Sequence, residues 1–118
     1  MEGMMQMELL DRFDQHAGEA VDLLKAMANE ARLLVLCHLA ESGELSVGAL
    51  VDRVGLSQSA LSQHLARLRE EGLVATRKEA QTVYYSVCDP KAGQLLALLH
   101  DLFCPELGRE EMTGTNRS

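Results

Sequence analysis

The fold is decided by residues 46–65, which read SVGALVDRVGLSQSALSQHL. After Ser46, a favourable N-cap, the apolar residues recur at the spacing of one helical face: Val47, Leu50, Val51 and Val54. Gly55 closes this helix, and one residue later Ser57 is the cap of a second helix, whose inner face is Leu61, Leu65 and Leu68. Two short helices joined by so tight a turn predict a helix-turn-helix.

The period of the sequence changes after Gly72. Residues 73–77 (LVATR) and 83–87 (VYYSV) are rich in the branched and aromatic residues typical of strands. The polar residues 78–82 (KEAQT) separate them. A β-hairpin directly after a helix-turn-helix predicts a winged helix, in a chain that is mainly α-helical.

Further helices flank this unit. A first helix is predicted over about residues 9–27, and Asn29 is predicted to cap a second helix with Leu33, Leu36, Cys37 and Ala40 on one face. Asp89-Pro90 opens a last helix that runs to about Cys104. Its apolar residues cover a wide arc, which indicates a second surface buried against a partner subunit. We therefore expect one domain over residues 1–104 and a disordered tail over residues 105–118.

The charge of the chain is unusual for a protein that binds nucleic acid. The 118 residues carry a net charge of −7, whereas such domains usually have a basic footprint. From Ser57 to Cys88, however, there are four Lys or Arg against three Asp or Glu. The acidic excess therefore belongs to the rest of the chain, and the central segment is free to approach phosphates.

The helix that begins at Ser57 is the predicted reading surface. Burial of its leucines leaves polar side chains outward near its amino end, where a recognition helix meets base edges: Gln58, Ser59, Ser62 and Gln63. Glutamine can bond adenine through two groups, and serine can donate or accept. We expect His64 and Arg67 to reach the DNA backbone, Arg77 and Lys78 to meet phosphates or the minor groove, and Gln81 and Thr82 to lie at the hairpin tip.

Long segments of the chain resemble the ArsR/SmtB family of winged-helix repressors. They are LKAMANE (24–30) with Arg32, ELSVGAL (44–50) and LSQSALSQHL (56–65), and the resemblance extends over about residues 21–104. RKEAQTVYY (77–85) and the ending LFC (102–104) are most similar to the branch that contains HlyU, BigR and YgaV. The resemblance implies a homodimer formed by the first and last helices, and a double-stranded operator with two half-sites about one helical turn apart.

Family members commonly release DNA when they bind a metal, but the ligands are missing here. Ser46 and Gly48 stand where one family site has two cysteines, and the last helix offers only the adjacent His100 and Asp101 for another. We expect no metal and no cofactor. The resemblance implies instead that Cys37 and Cys104, in the second and last helices, form a pair that senses reactive sulfur or oxidants. By spacing, Cys37 belongs to an apolar stripe and Cys104 to a more open position; Cys88 has no assigned role.

Other readings stay open at this stage. The chain could raise expression by displacing another DNA-binding protein, as HlyU does, or respond to a metal; an interaction module without DNA binding would suit the acidic charge. An enzyme is not expected, because there is no phosphate-binding Gly-rich loop, zinc-protease spacing or nucleophile beside a base. No segment approaches the roughly 18–20 apolar residues that a membrane span needs. The start of the chain carries Glu2 and Glu8 without a basic run, which does not suit a signal peptide, so a cytoplasmic protein is expected.

Overall fold

Five helices and a three-stranded antiparallel sheet form the regular structure of the described residues. The computed structural model describes residues 2–104, and only the backbone of residues 2–8. The elements follow in the order α1 (Glu2–Met27), α2 (Glu30–Ser42), β1 (Leu45–Ser46), α3 (Val47–Val54), α4 (Gln58–Glu70), β2 (Val74–Glu79), β3 (Thr82–Val87) and α5 (Pro90–Phe103). The predicted mainly α-helical winged helix is confirmed. The predicted tail over residues 105–118 lies outside the described residues.

The predicted capping residues set the helix starts. The side-chain oxygen of Asn29 accepts a hydrogen bond from the N–H of Arg32 at 3.0 Å. Ser46 and Ser57 do the same three residues ahead, at 3.2 Å and 3.1 Å. Each bond satisfies a backbone donor that has no partner inside its helix. The starts of α2, α3 and α4 are thus fixed locally.

A leucine-rich core holds the helix-turn-helix against α2 and the sheet. Its largest fully buried side chains are Val35, Leu36, Leu39, Leu50, Leu61, Leu65, Leu68 and Leu73. Ala92 and Leu96 join α5 to the same core. The inner face predicted for α4 is confirmed, since Leu61, Leu65 and Leu68 are all buried.

The prediction for α2 is wrong in part. The buried residues are Val35, Leu36 and Leu39, whereas Cys37 and Ala40 are exposed. Nearly every residue over 33–40 is apolar, so that periodicity does not define one face. The helix orientation is set by its packing against α3, α4, α5 and β3.

The hairpin is longer than predicted. The strand β3 lies between β1 and β2, and the β2–β3 register runs from Val74 opposite Val87 to Glu79 opposite Thr82. Only Ala80 and Gln81 form the turn, so residues 78, 79 and 82 are strand residues and not loop residues as predicted. Ala80 adopts a φ of 57°. In such turns this conformation is normally adopted by Gly or Asn, so the sequence did not mark the turn. The short strand β1 was also not predicted, because two residues show no pattern.

The turn between α3 and α4 depends on Gly55. It lies in the left-handed region with φ 80° and ψ 18°, and its N–H donates to the carbonyl of Val51. Gly55→Ala is expected to lower the free energy of unfolding by about 1–2 kcal/mol, because only glycine adopts this conformation without strain. Urea denaturation followed by circular dichroism at one fixed protein concentration measures the change.

The matched control is Gly48→Ala in α3. A Cβ atom at either glycine would meet nothing within 4 Å, so the two substitutions differ in backbone conformation and not in packing. Gly48→Ala should leave the stability unchanged or raise it by up to about 1 kcal/mol. Equal destabilisation by both would show that the positive φ of Gly55 does not matter.

Candidate nucleic-acid interface

The amino-terminal half of α4 presents a polar face to solvent. Gln58, Ser59, Ser62 and Gln63 are all exposed, on the side away from the buried leucines. The Ser57 hydroxyl accepts the capping bond from Ala60 and keeps its own hydrogen free to donate. This face offers amide and hydroxyl groups, which can donate to and accept from the base edges of a major groove. The structure thus brings together the residues predicted to read DNA.

The carboxyl-terminal half of α4 is less free. The side chain of His64 is half-buried. Arg67 is exposed, and its Nε lies 3.6 Å from the carboxylate of Glu71, one helical turn further on. An exposed pair of this kind contributes little to stability, so that Arg67 can exchange Glu71 for a phosphate.

The two basic residues of the hairpin point to opposite sides of the sheet. Side chains alternate along a strand, and Arg77 and Lys78 are neighbours in β2. Lys78 is exposed and makes no ion pair with any residue in the part of the chain that the structure describes. Gln81 lies in the turn, with Thr82 beside it at the start of β3. A DNA strand that lies against one face of the hairpin can therefore contact only one of these two side chains.

Arg77 is already engaged within the protein. Its Nε and one Nη donate to the two carboxylate oxygens of Glu44, both at 2.9 Å, and its other Nη donates to Glu79 at 2.7 Å. Its guanidinium also lies over the ring of Tyr84, 4.7 Å from the centroid. The sequence could not indicate the partner Glu44, because it lies 33 residues away and no local pattern joins the two.

The exposures of the cysteines are the reverse of those predicted. Cys37 is exposed and Cys104 is half-buried, because α2 turns Val35, Leu36 and Leu39 inward and Cys37 outward. Cys104 forms the end of α5, where its N–H donates to the carbonyl of His100 at 2.8 Å. Cys88 is exposed and its thiol donates to the carbonyl of Gly72 at 3.4 Å.

A cavity of about 730 Å³ lies between α2, α5 and the end of β3. Its polar lining is Cys37, Glu41, Cys88, Asp89, His100 and Asp101. Desolvation raises the pKa of the Cys37 thiol, and the negative charges of Cys104 and Glu41 raise it further. Cys104, at the end of α5, is thus close enough to Cys37 in α2 for its negative charge to raise the pKa of the Cys37 thiol.

Metal ligands do not converge among the described side chains. Within residues 9–104, no group of three or more His, Cys, Asp or Glu residues is placed to hold an ion. The adjacent residues His100 and Asp101 line the cavity without a third ligand of the right geometry.

Comparison with known proteins identifies the family. Residues 29–76 match the family described as bacterial regulatory protein, arsR family. The transcriptional activator HlyU of Vibrio cholerae is 56% identical over 95 residues, which are 80% of this chain and 87% of that protein. The chain belongs to the ArsR family. The match over 29–76 begins at the N-cap of α2 and ends in β2, so that it contains the whole helix-turn-helix.

Solved structures agree with this assignment. The structure of HlyU from Vibrio cholerae superposes with a TM-score of 0.73 at 58% identity, covering 75% of this chain and 96% of that one. The transcriptional repressor BigR from Xylella fastidiosa superposes with a TM-score of 0.75 at 39% identity, covering 80% and 95%. This ArsR-family chain is a DNA-binding transcriptional regulator and not an enzyme. Among the helices that the structure describes, none is long and apolar enough to cross a membrane.

The raised pKa of Cys37 gives a prediction for its reactivity. A raised pKa leaves less thiolate at neutral pH, and the thiolate is the reactive form. The rate of Cys37 alkylation by iodoacetamide should therefore still rise as the pH increases beyond 9. Cys104→Ser removes one of the charges that raise the pKa, so that the profile of Cys37 should move to lower pH.

Peptide mass spectrometry after short exposures measures this rate at each cysteine. Cys88→Ser is the control, because Cys88 is not among the causes of the Cys37 shift, and it should leave the profile in place. A Cys37 profile that is unaffected by Cys104→Ser would contradict the effect of the Cys104 charge on the pKa of Cys37.

Proposed function

We propose that this chain is a dimeric repressor whose binding to an operator is switched by reactive sulfur or oxidants at Cys37 and Cys104. The observation that carries the proposal is that Cys37 is exposed on α2, while the negative charge of Cys104, at the end of α5, raises its pKa. The proposal requires that movement of the end of α5 can bring the two sulfur atoms into bonding contact. The exposed position of Cys37 gives a dissolved reagent access to the pair.

The proposed operator contacts follow from the exposed face of α4. Gln58, Ser59, Ser62 and Gln63 would read base edges in the major groove. Ser57, His64, Arg67, Lys78, Gln81 and Thr82 would contact the sugar-phosphate backbone or the adjoining minor groove. Base contacts set the sequence preference, whereas backbone contacts set the register of the protein on the duplex.

Exposed apolar side chains on α1 and α5 support the dimer. They are Leu9, Leu10, Phe13, Val21 and Leu24 on α1 and Leu98, Leu102 and Phe103 on α5, each at least 46% exposed. Among residues 9–27, only Ala26 and Met27 are buried, so most of α1 lacks a partner within the described chain. Large apolar side chains left exposed in such number on two helices are typical of a subunit interface. A symmetric dimer would present two α4 helices to two half-sites.

The proposed switch proceeds in two balanced steps. With a peroxide, one thiolate attacks the O–O bond to give a sulfenic acid and hydroxide. The second thiolate then attacks the sulfenic sulfur, forming the disulfide and releasing a second hydroxide. With a persulfide donor, the first thiolate takes the outer sulfur and releases the donor's thiolate; attack on the resulting persulfide gives the disulfide and hydrosulfide.

Joining Cys37 to Cys104 would affect both the helix-turn-helix and the proposed dimer surface. Cys37 lies in α2, which packs against α3 and α4, and Cys104 ends α5, which carries part of the proposed dimer surface. A covalent link therefore couples the helix-turn-helix to the subunit contact. It would favour a dimer whose two α4 helices no longer match the half-site spacing.

Intact-mass spectrometry paired with DNA binding tests this proposal. Exposure of the wild type to polysulfide or peroxide should remove two hydrogens, or add sulfur between the two cysteines, and release the operator. Cys37→Ser and Cys104→Ser should stay on the DNA, while the matched control Cys88→Ser should respond as the wild type does. A protein that forms no link and remains bound would exclude the switch.

A second candidate is supported by the name of the Vibrio cholerae relative, which is an activator. In this version the chain raises expression by displacing another DNA-binding protein, with the same contacts to DNA. Transcription in vitro from a promoter with the operator separates the two, since a repressor lowers transcription in the absence of any other protein. A zinc titration in the same assay tests a metal-responsive repressor, and absence of DNA binding at low salt would support an interaction module.

A further inference from the structure

The outer face of the sheet carries a cluster that joins the hairpin to the chain before β1. The register places Tyr84 opposite both Ser46 of β1 and Arg77 of β2, so these side chains lie on one face. Glu44 is two residues before Ser46, and Glu79 is two residues after Arg77, which brings both carboxylates to the same face. We call Glu44, Arg77, Glu79 and Tyr84 the outer-face cluster.

Glu44 occupies the edge of Arg77 that would otherwise bind a phosphate. An arginine takes a carboxylate or a phosphate through two parallel N–H donors. In Arg77 both donors of that edge bond to Glu44 at 2.9 Å, while the remaining Nη bonds to Glu79. The hydrogen bond from Arg77 lowers the pKa of Glu44, so that Glu44 is ionised at neutral pH.

The pair of Glu44 and Arg77 bridges two parts of the fold that act on DNA. Arg77 lies in β2, in the hairpin that forms the wing. Glu44 directly precedes β1, which leads without a break into α3 and then to α4. The link between Arg77 and Glu79, in contrast, stays within one strand.

We propose that Arg77 is a positioning residue that fixes the wing against the helix-turn-helix through Glu44, and that it does not contact phosphate. This inference replaces the phosphate contact predicted for Arg77 and leaves that role to Lys78 on the other face of β2. It rests on the part of the proposed function in which the wing meets the operator. The two roles of Arg77 predict opposite effects of changing Glu44.

Glu44→Gln distinguishes the two roles of Arg77, because they predict opposite changes in the affinity for DNA. This substitution removes a negative charge near the DNA and releases the guanidinium of Arg77. If Arg77 bound phosphate, Glu44→Gln would tighten DNA binding. If Arg77 positions the wing, the same substitution weakens binding to the operator despite the more favourable charge.

The experiment measures binding at several salt concentrations. The probe is the tightest duplex of about 30 base pairs, three helical turns, that the wild-type protein selects from a random-sequence pool. The variants are Glu44→Gln, Arg77→Gln, Arg77→Lys and the double variant Glu44→Gln/Arg77→Gln. Glu79→Gln is the matched control, because it neutralises the other carboxylate that pairs with the Arg77 guanidinium and leaves the pair with Glu44 intact. Circular dichroism checks that each variant is folded.

We expect Glu44→Gln, Arg77→Gln and Arg77→Lys each to weaken binding about fivefold per wing, and the double variant to add nothing further. Arg77→Lys belongs with them because lysine cannot form the bidentate pair. Glu79→Gln should change binding less than about twofold. Arg77→Gln should leave the slope of log affinity against log salt unchanged, whereas Lys78→Gln should reduce it by about one per protomer.

Tighter binding by Glu44→Gln, wild-type affinity of Arg77→Lys or a reduced salt slope for Arg77→Gln would each overturn the positioning role. So would wild-type binding by all the variants. A wild-type protein that selects no duplex from the pool would instead overturn the proposed reading of DNA, and this inference with it.

Discussion

Replacement of Gln58 and Gln63 together by alanine is expected to lower affinity for the operator by at least about 100-fold. Each glutamine can form two hydrogen bonds to an adenine, and a good bidentate contact contributes about 1–3 kcal/mol of discrimination. Both side chains are exposed on the amino-terminal half of α4, so their removal should not disturb the leucine core. Fluorescence anisotropy with the selected duplex and with a scrambled duplex measures the two affinities.

The pattern of the loss identifies its cause. Binding to the scrambled duplex and the salt slope should change little, because backbone contacts dominate both. Gln15→Ala on α1, an exposed glutamine far along the chain from α4, is the matched control and should bind as the wild type does. An equal loss on both duplexes would mean that these glutamines do not read bases.

The second large effect is expected at the apolar surface of α5. Leu98→Glu/Leu102→Glu should convert the proposed dimer into a monomer and weaken operator binding by at least about 100-fold. Both leucines are more than half exposed in the single chain, at 51% and 61%, and a carboxylate buried without a partner in an interface is strongly unfavourable. A monomer engages one half-site at a time and loses the gain from linking two contacts.

Sedimentation velocity measures the oligomeric state in this experiment. Leu98→Met/Leu102→Met keeps the surface apolar and should remain dimeric. Ala92 and Leu96 hold α5 to the core from its other side, so that the glutamate variant should keep its helical circular dichroism. A glutamate variant that stays dimeric would place the subunit contact elsewhere.

Local signals in the sequence predict the helix-turn-helix correctly. The caps Ser46 and Ser57, the turn at Gly55 and the spacing of Leu61, Leu65 and Leu68 are each set by neighbouring residues, and each is found in the structure. The orientation of α2 could not be predicted in the same way. It is apolar nearly all round, so only its packing against several elements decides that Cys37 is exposed.

The hairpin shows the second limit of sequence reasoning. The turn at Ala80 lacks the glycine or asparagine that normally marks a positive φ. The predicted five-residue loop included Lys78. The sequence therefore did not predict that Arg77 and Lys78 are neighbours in one strand and lie on opposite faces of the sheet. Glu44 could be recognised as the partner of Arg77 only from the order of the strands, in which β3 lies between β1 and β2.

Selection of duplexes from a random-sequence pool by the wild-type protein, followed by sequencing, tests the central claim that α4 of a dimer reads DNA. We predict that the selected sequences share two related half-sites whose centres lie about 10 base pairs apart. The same selection with Gln58→Ala/Gln63→Ala should lose the preference at specific positions within each half-site. Selected sequences without a common motif, or with a motif that the double variant retains in full, would contradict the account.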